Sequence, residues 1–169
     1  MNKCIFLDRD GVLNVDRVDY VYRVEDMIII DGVVEALEQF KKAGYLLIII
    51  TNQSGIAKGI YTKEDVMKCH DFFQEKCGHL IDNIYFSPYH EKYTSASLTR
   101  KPDSLMIEKA MAKYNIDPEL SWMVGDNSRD MKAAHKAGLK SIFITGNYEY
   151  LTDDACTTSL LEASKLILN

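Results

Sequence analysis

The sequence predicts an α/β fold: a doubly wound, mostly parallel sheet with helices on both faces. Three observations lead there. Short, continuous apolar runs such as Lys3–Leu7 and Tyr45–Ile50 read as strands covered on both faces. Helical patterns alternate with these runs, and right-handed crossovers then wind the chain to either side of one sheet. Polar and acidic residues gather directly after the strand ends, where such sheets bind ligands.

Each element has its own signal. The run Lys3–Leu7 stops at the charged turn Asp8-Arg9-Asp10-Gly11. Val33–Ala43 reads as a helix because Val33, Leu37 and Phe40 share a face, and Gly44 stands where a glycine ends a helix. Tyr45–Ile50 is the second strand. Thr62 caps a helix over 63–76, with Asp65 three positions on completing the capping arrangement. Asn83–Phe86 is a short third strand. Ser104–Tyr114 is helical, and Asp117-Pro118 marks a turn. Trp122–Val124 is a strand ending at Gly125-Asp126. Gly138 closes the helix Ser128–Ala137, Ser141–Ile144 is the last strand, and Ser159–Leu168 is a closing helix. There is no repeat and no linker, so residues 1–169 are expected to form one domain. The intervals between motifs leave no room for a large cap domain. The longest irregular segment is 87–100, and loops of that length in compact domains are often functional. The stretch 148–158 carries no signal.

A net charge of -5 argues against bulk nucleic-acid binding, which calls for a basic face. No apolar stretch approaches the roughly 18 residues that span a bilayer, and the N-terminus does not read as a secretory leader. Cys4, Cys69, Cys77 and Cys156 lack metal-ligand spacing, and Cys4 reads as a core thiol. A soluble, cytoplasmic, monomeric protein is expected, with neither nucleic acid nor membrane as partner. His70, His79, His135 and Trp122 read as structural.

The strand ends carry the chemistry. The first is followed by Asp8 and Asp10, the second by Thr51-Asn52-Gln53-Ser54, and the fourth by Asp126-Asn127 with Asp130 one turn on. Carboxylates meeting at one edge repel unless a cation joins them, so Asp8, Asp10 and Asp126 form a candidate magnesium site. Asp8, next to the strand, is placed to attack phosphorus, and Asp10 to protonate the leaving alcohol and then activate water. Thr51 offers a hydroxyl and Lys101 a positive charge to the transferring phosphoryl group. The planar fork of Arg100 suits a second phosphate or a carboxylate.

Taken singly, each of these signals has a bland explanation: D-x-D in a solvated loop, a turn threonine, a surface Arg-Lys pair. Their order along the chain does not. FLDRDGVLNVD, ITNQSGIAKG, RKP and VGDNSRDMKAA resemble the four motifs of the haloacid dehalogenase superfamily of phosphatases. LDRDGVLN, IDGV, TNQSGIA and RKP further resemble its histidinol-phosphate phosphatase and D-glycero-D-manno-heptose-1,7-bisphosphate phosphatase subgroup. The resemblance spans residues 3–144.

It implies Asp8 as nucleophile, Asp10 as acid/base and as a metal ligand through its main-chain carbonyl, and Asp126 as metal ligand. It implies Thr51 and Lys101 around the phosphoryl group. It implies Arg9, Asp16, Tyr20, Asn52, Gln53, Ser54, Arg100 and Asn127 at the substrate, although the segment 16–22 is one residue longer than the usual pattern. The cofactor is Mg2+ and the partner a small phosphorylated substrate, with heptose bisphosphate ahead of histidinol phosphate or another sugar phosphate. A non-catalytic phosphate-binding protein on the same fold is the alternative from another class. One departure stands out. Ser87, Tyr89, Ser97 and Thr99 occupy the positions where the subgroup carries zinc ligands, and His90 alone makes no tetrahedral site, so no zinc is expected. The loop is then to be held by Tyr85, Phe86, Tyr89 and Tyr93, or left mobile.

Overall fold

The computed structural model describes residues 1–149 and 153–169. Residues 150–152, part of the stretch without a sequence signal, lie outside the described residues. The elements run β1 (Cys4–Leu7), α1 (Val33–Lys42), β2 (Leu46–Asn52), α2 (Lys63–Lys76), β3 (Asn83–Ser87), α3 (Leu105–Tyr114), β4 (Trp122–Gly125), α4 (Ser128–Lys136), β5 (Lys140–Ile144), β6 (Ala155–Thr157) and α5 (Leu160–Leu168), with 3-10 turns at Val24–Asp26 and Pro118–Leu120.

All six strands pair in parallel in the order β3-β2-β1-β4-β5-β6. The handedness of crossovers explains where the helices lie. From β1 the chain steps outward to β2 and β3, and α1 and α2 fall on one face. It then returns past β1 to β4 and β5, the direction reverses, and α3 and α4 fall on the other face. Side-chain alternation matches. Ile5, Leu7, Leu47, Ile49 and Val124 join α1, α2 and α5 in one core. Cys4, Phe6, Ile48, Ile50 and Met123 join α3 and α4 in the second.

The expected elements are present, most within one or two residues. Thr62 and Asp65 cap α2 reciprocally, as the sequence implies. β6 is the element the sequence did not announce. It has three residues, two of them exposed, so it carries no apolar run. Pairing with β5 alone makes it a strand.

The 87–100 loop is held differently from the expectation. Tyr89 and Tyr93 are exposed, and only Tyr85 and Phe86 pack inward, Phe86 edge-on against His70. Three of the four residues at the expected zinc-ligand positions instead share hydrogen bonds. Thr99 Oγ1 lies 3.0 Å from Ser87 Oγ and 2.8 Å from Ser97 Oγ, and the Thr99 N–H donates to Ser97 Oγ at 3.3 Å. Arg100 Nη1 donates to the Tyr89 carbonyl at 3.2 Å and ties the far side of the loop.

Candidate active site

β1 lies where the strand order reverses, between β2 and β4. The carboxyl ends of these three strands make the crevice that open α/β sheets use for ligands. Asp8 continues β1, its N–H donating to the Val124 carbonyl at 3.0 Å. Its carboxylate is 4% exposed and meets the Lys101 ammonium at 2.8 Å. The same ammonium pairs with Asp130 at 2.7 Å and donates a hydrogen bond to the Ile50 carbonyl at 2.7 Å. Lys101 is itself positioned by Asn52, whose side-chain amide exchanges two 3.0 Å hydrogen bonds with the Lys101 backbone. Burial works against the lysine's charge, but Asp130 and Asp8 outweigh it and hold its proton more tightly than usual.

Asp8, Asp126 and Asp130 are buried and offer oxygens within 4.8 Å of one another. Local sequence allows that approach. At Gly125 a Cβ would sit 2.3 Å from Asp130 Cβ, and at Gly11, with φ +85°, 1.9 Å from Asp126 Oδ2. Burial, then repulsion from Asp130, pushes Asp8 up to about 6 despite Lys101. Burial, then Asp8, pushes Asp126 up to about 7. The cluster therefore carries more negative charge than its surroundings offset.

Asp10 stands in a separate network. Arg9 clasps its carboxylate through Nη2 at 2.9 Å and Nε at 3.2 Å, while Asn14 donates at 2.9 Å and Gln53 at 3.1 Å. Burial alone would raise its pKa, but the Arg9 charge and these donors reverse the sign and keep it ionised. Gln53 has all four hydrogen-bonding positions in use. Its Nε2 donates to Asp10 and Thr51 Oγ1, and its Oε1 accepts from Arg9 and the Tyr61 hydroxyl.

Above this edge opens a cavity of about 640 Å3 lined by Asp10, Asp16, Tyr20, Asn52, Ser54 and Arg100, and also by Arg17, Lys58, His90, Arg129 and Asn147. A haloacid dehalogenase-like hydrolase family model matches residues 15–144. The chain belongs to this family. The D-glycero-beta-D-manno-heptose-1,7-bisphosphate 7-phosphatase of Pasteurella multocida is 38% identical over 161 residues, covering 91% of this chain and 87% of that protein. The D-glycero-alpha-D-manno-heptose-1,7-bisphosphate 7-phosphatase of Campylobacter jejuni is 39% identical over 145 residues, covering 84% and 81%. The crystal structure of D,D-heptose 1.7-bisphosphate phosphatase from B. bronchiseptica, complexed with magnesium and phosphate, matches with a TM-score of 0.90 at 26% identity over 98% of both chains.

In this hydrolase the donor set fits magnesium. Three buried carboxylates supply hard oxygens, and the raised pKa values of Asp8 and Asp126 mark a site short of positive charge. Asp130 joins Asp8 and Asp126 in the cluster, and the Asp10 carboxylate is turned to Arg9 instead; the resemblance gives Asp10 to the metal only through its main-chain carbonyl.

Three residues expected at the substrate are differently employed. Arg9 is 1% exposed, and its guanidinium faces inward to Asp10, the Val21 carbonyl and Gln53. Gln53 is 1% exposed and serves Asp10 and Thr51. The Asn127 side chain caps α4, accepting from the Arg129 N–H. Asp16 and Tyr20 do line the cavity, with Asp16 accepting from the Tyr148 hydroxyl at 3.0 Å and Tyr20 from Lys58 Nζ at 2.6 Å. Sequence reasoning missed Lys58, Arg129 and Asn147. Arg129 was within reach, because it sits inside the fourth motif on the first turn of α4. Asn147 lies outside every recognised motif.

Proposed function

We propose that the chain is a magnesium-dependent phosphomonoesterase that works through an aspartyl-phosphate on Asp8, with D-glycero-D-manno-heptose 1,7-bisphosphate as substrate and the 7-phosphate as the group removed. The observation that carries this reading is Asp8 itself: a strand-end carboxylate paired with Lys101 and set against Asp126 and Asp130. Asp8, Asp126 and the Asp10 carbonyl would hold the metal, which when bound offsets the charge of phosphate against carboxylate.

Asp8 attacks phosphorus. Lys101 stays beside it and takes up charge on the phosphoryl oxygens, and Thr51, whose oxygen accepts from Gln53, has its own proton to donate there. Asp10, held ionised by Arg9, is ready for the second half-reaction, in which a base takes a proton from the attacking water. For the first half-reaction Asp10 has to leave Arg9 and take up a proton from solvent, which it then gives to the leaving oxygen as the P–O bond breaks.

The cavity is positive away from the carboxylate cluster. Arg100 lies close enough to Arg129 that burial, then that neighbouring charge, lowers its pKa. Together with Lys58 these groups suit a second anion on the substrate and disfavour the ammonium of histidinol phosphate. The names of the relatives support the heptose bisphosphate and include both anomers, so the reading covers both. The strands of the sheet come from both ends of the chain, which supports residues 1–169 acting as one domain. Among the described residues no helix is long and apolar enough to cross a membrane.

The test is phosphate release from both heptose bisphosphate anomers, histidinol phosphate and a sugar-phosphate panel, with Mg2+. Release from a bisphosphate that Asp8→Asn abolishes is expected. No release from any compound by the wild-type protein would favour a non-catalytic phosphate-binding role and sink the reading.

A further inference from the structure

Among the cluster carboxylates, Asp126 has a neighbour that no motif announces. Asn147, in the turn after β5, donates from Nδ2 to Asp126 Oδ2 at 2.9 Å. The same amide reaches the Gly11 carbonyl at 3.4 Å, so it spans the loops that follow β1 and β4. Gly11 closes the other side. A Cβ there would meet Asp126 Oδ2 at 1.9 Å and Asn147 Nδ2 at 2.6 Å, so the carboxylate and the amide share a slot only a glycine leaves open. Asp126 is 1% exposed, and water has little part in orienting it. With Oδ2 engaged by the amide and Gly11 behind it, the carboxylate is oriented against Asp8 and Asp130, within the 4.8 Å cluster.

The chemistry of the partner matters as much as its position. An amide N–H orients a carboxylate without neutralising it. A lysine in that place would compete with a metal ion for the same charge, as Lys101 already does for Asp8 and Asp130. Groups that hold a metal ligand from behind govern affinity because they fix the ligand before the ion arrives.

We propose that Asn147 is a positioning residue of the metal site, holding Asp126 so that its carboxylate is aimed at the cation. The inference rests on the magnesium reading above. The adjacent Tyr148 supplies the control: it belongs to the same turn, but its hydroxyl donates to Asp16 rather than to a cluster carboxylate.

The experiment is calorimetric titration of Mg2+ into the metal-free full chain, for the wild type, Asn147→Ala and Tyr148→Phe, with the melting temperature of each metal-free protein. Asn147→Ala is expected to weaken Mg2+ binding about tenfold or more, the range for groups behind a metal ligand, while its metal-free melting temperature stays near that of the wild type. Tyr148→Phe is expected to keep its Mg2+ affinity. Unchanged affinity in Asn147→Ala would overturn the inference. Equal losses in both variants would overturn it too, by pointing to a general loosening of the turn. A wild type that binds no Mg2+ would overturn the magnesium reading and this one with it, an outcome distinct from the other two.

Discussion

Lys101 shows how one side chain ties stability to chemistry. Its ammonium is fully buried and serves two carboxylates and a carbonyl, so its removal strands Asp8 and Asp130 without a counter-charge. Lys101→Met keeps the bulk and discards the charge. It should cost roughly 3–5 kcal/mol in urea unfolding, as breaking a buried pair does, and about 10²–10³ in kcat, the range for a lost charge-stabilising donor. His70 makes a different prediction. It is buried on α2 with Nε2 unpartnered, and burial, then the nearby Arg9 charge, pushes it down to about 3. Below its ordinary value of 6.5 the unfolded chain takes up a proton that the native state refuses. Stability should therefore fall as pH drops from about 6.5 towards 3, by on the order of 3 kcal/mol at pH 4. Denaturant titrations of His70→Leu should show this acid limb flattened; an unchanged limb would remove His70 as its cause.

At the scale of the element, the 87–100 loop is held by hydroxyls at positions where the resemblance implied metal ligands. Thr99 is the hub, meeting both Ser87 and Ser97. Thr99→Val keeps the shape and removes both hydroxyl contacts. At about 1 kcal/mol per hydrogen bond, it should destabilise the chain by roughly 1–2 kcal/mol and speed proteolysis within the loop. A zinc-selective chelator should leave the wild-type melting temperature unchanged. A fall on chelation would contradict the hydroxyl account of this loop.

At the scale of the whole molecule, metal, protons and folding are linked. Asp8 and Asp126 hold protons more tightly folded than unfolded, at about 6 and about 7 against 3.8. Their contribution to the metal-free protein is thus present below about pH 4 and lost as pH rises through 6 and 7. Mg2+ replaces those protons, so the stabilisation it confers should grow from pH 5 to pH 8. At Mg2+ about 100-fold above Kd the gain is ~2.7 kcal/mol, or roughly 5–10 °C in melting temperature for a chain of this size. Thermal melts with and without Mg2+ at the two pH values check this, and equal shifts at both would contradict it.

Much of the molecule was legible in the sequence for a local reason. Parallel strands buried on both faces must be continuous apolar runs, and helices between them must carry a stripe. Thr62 with Asp65, Gly44 and Gly138 mark ends through interactions within a few residues. Asp8 and Asp126 were legible because a strand end dictates where the next side chain can point, and Lys101 because it stands in the R-K-P segment of the resemblance. Other features depended on partners far along the chain. Arg9 turns inward because Asp10, Val21 and Gln53 wait there, and Gln53 is taken up by Tyr61 as much as by Asp10. Neither fact has a local signature. Asn147 reaches Asp126 across 21 positions, and β6 exists only because β5 offers an edge. By itself the sequence determined the strand order's chemistry: which residues stand at the carboxyl edge of the sheet. Only the tertiary structure decided which of them face the cavity and which face one another, because the direction of a buried polar side chain is set by whichever partner can satisfy it.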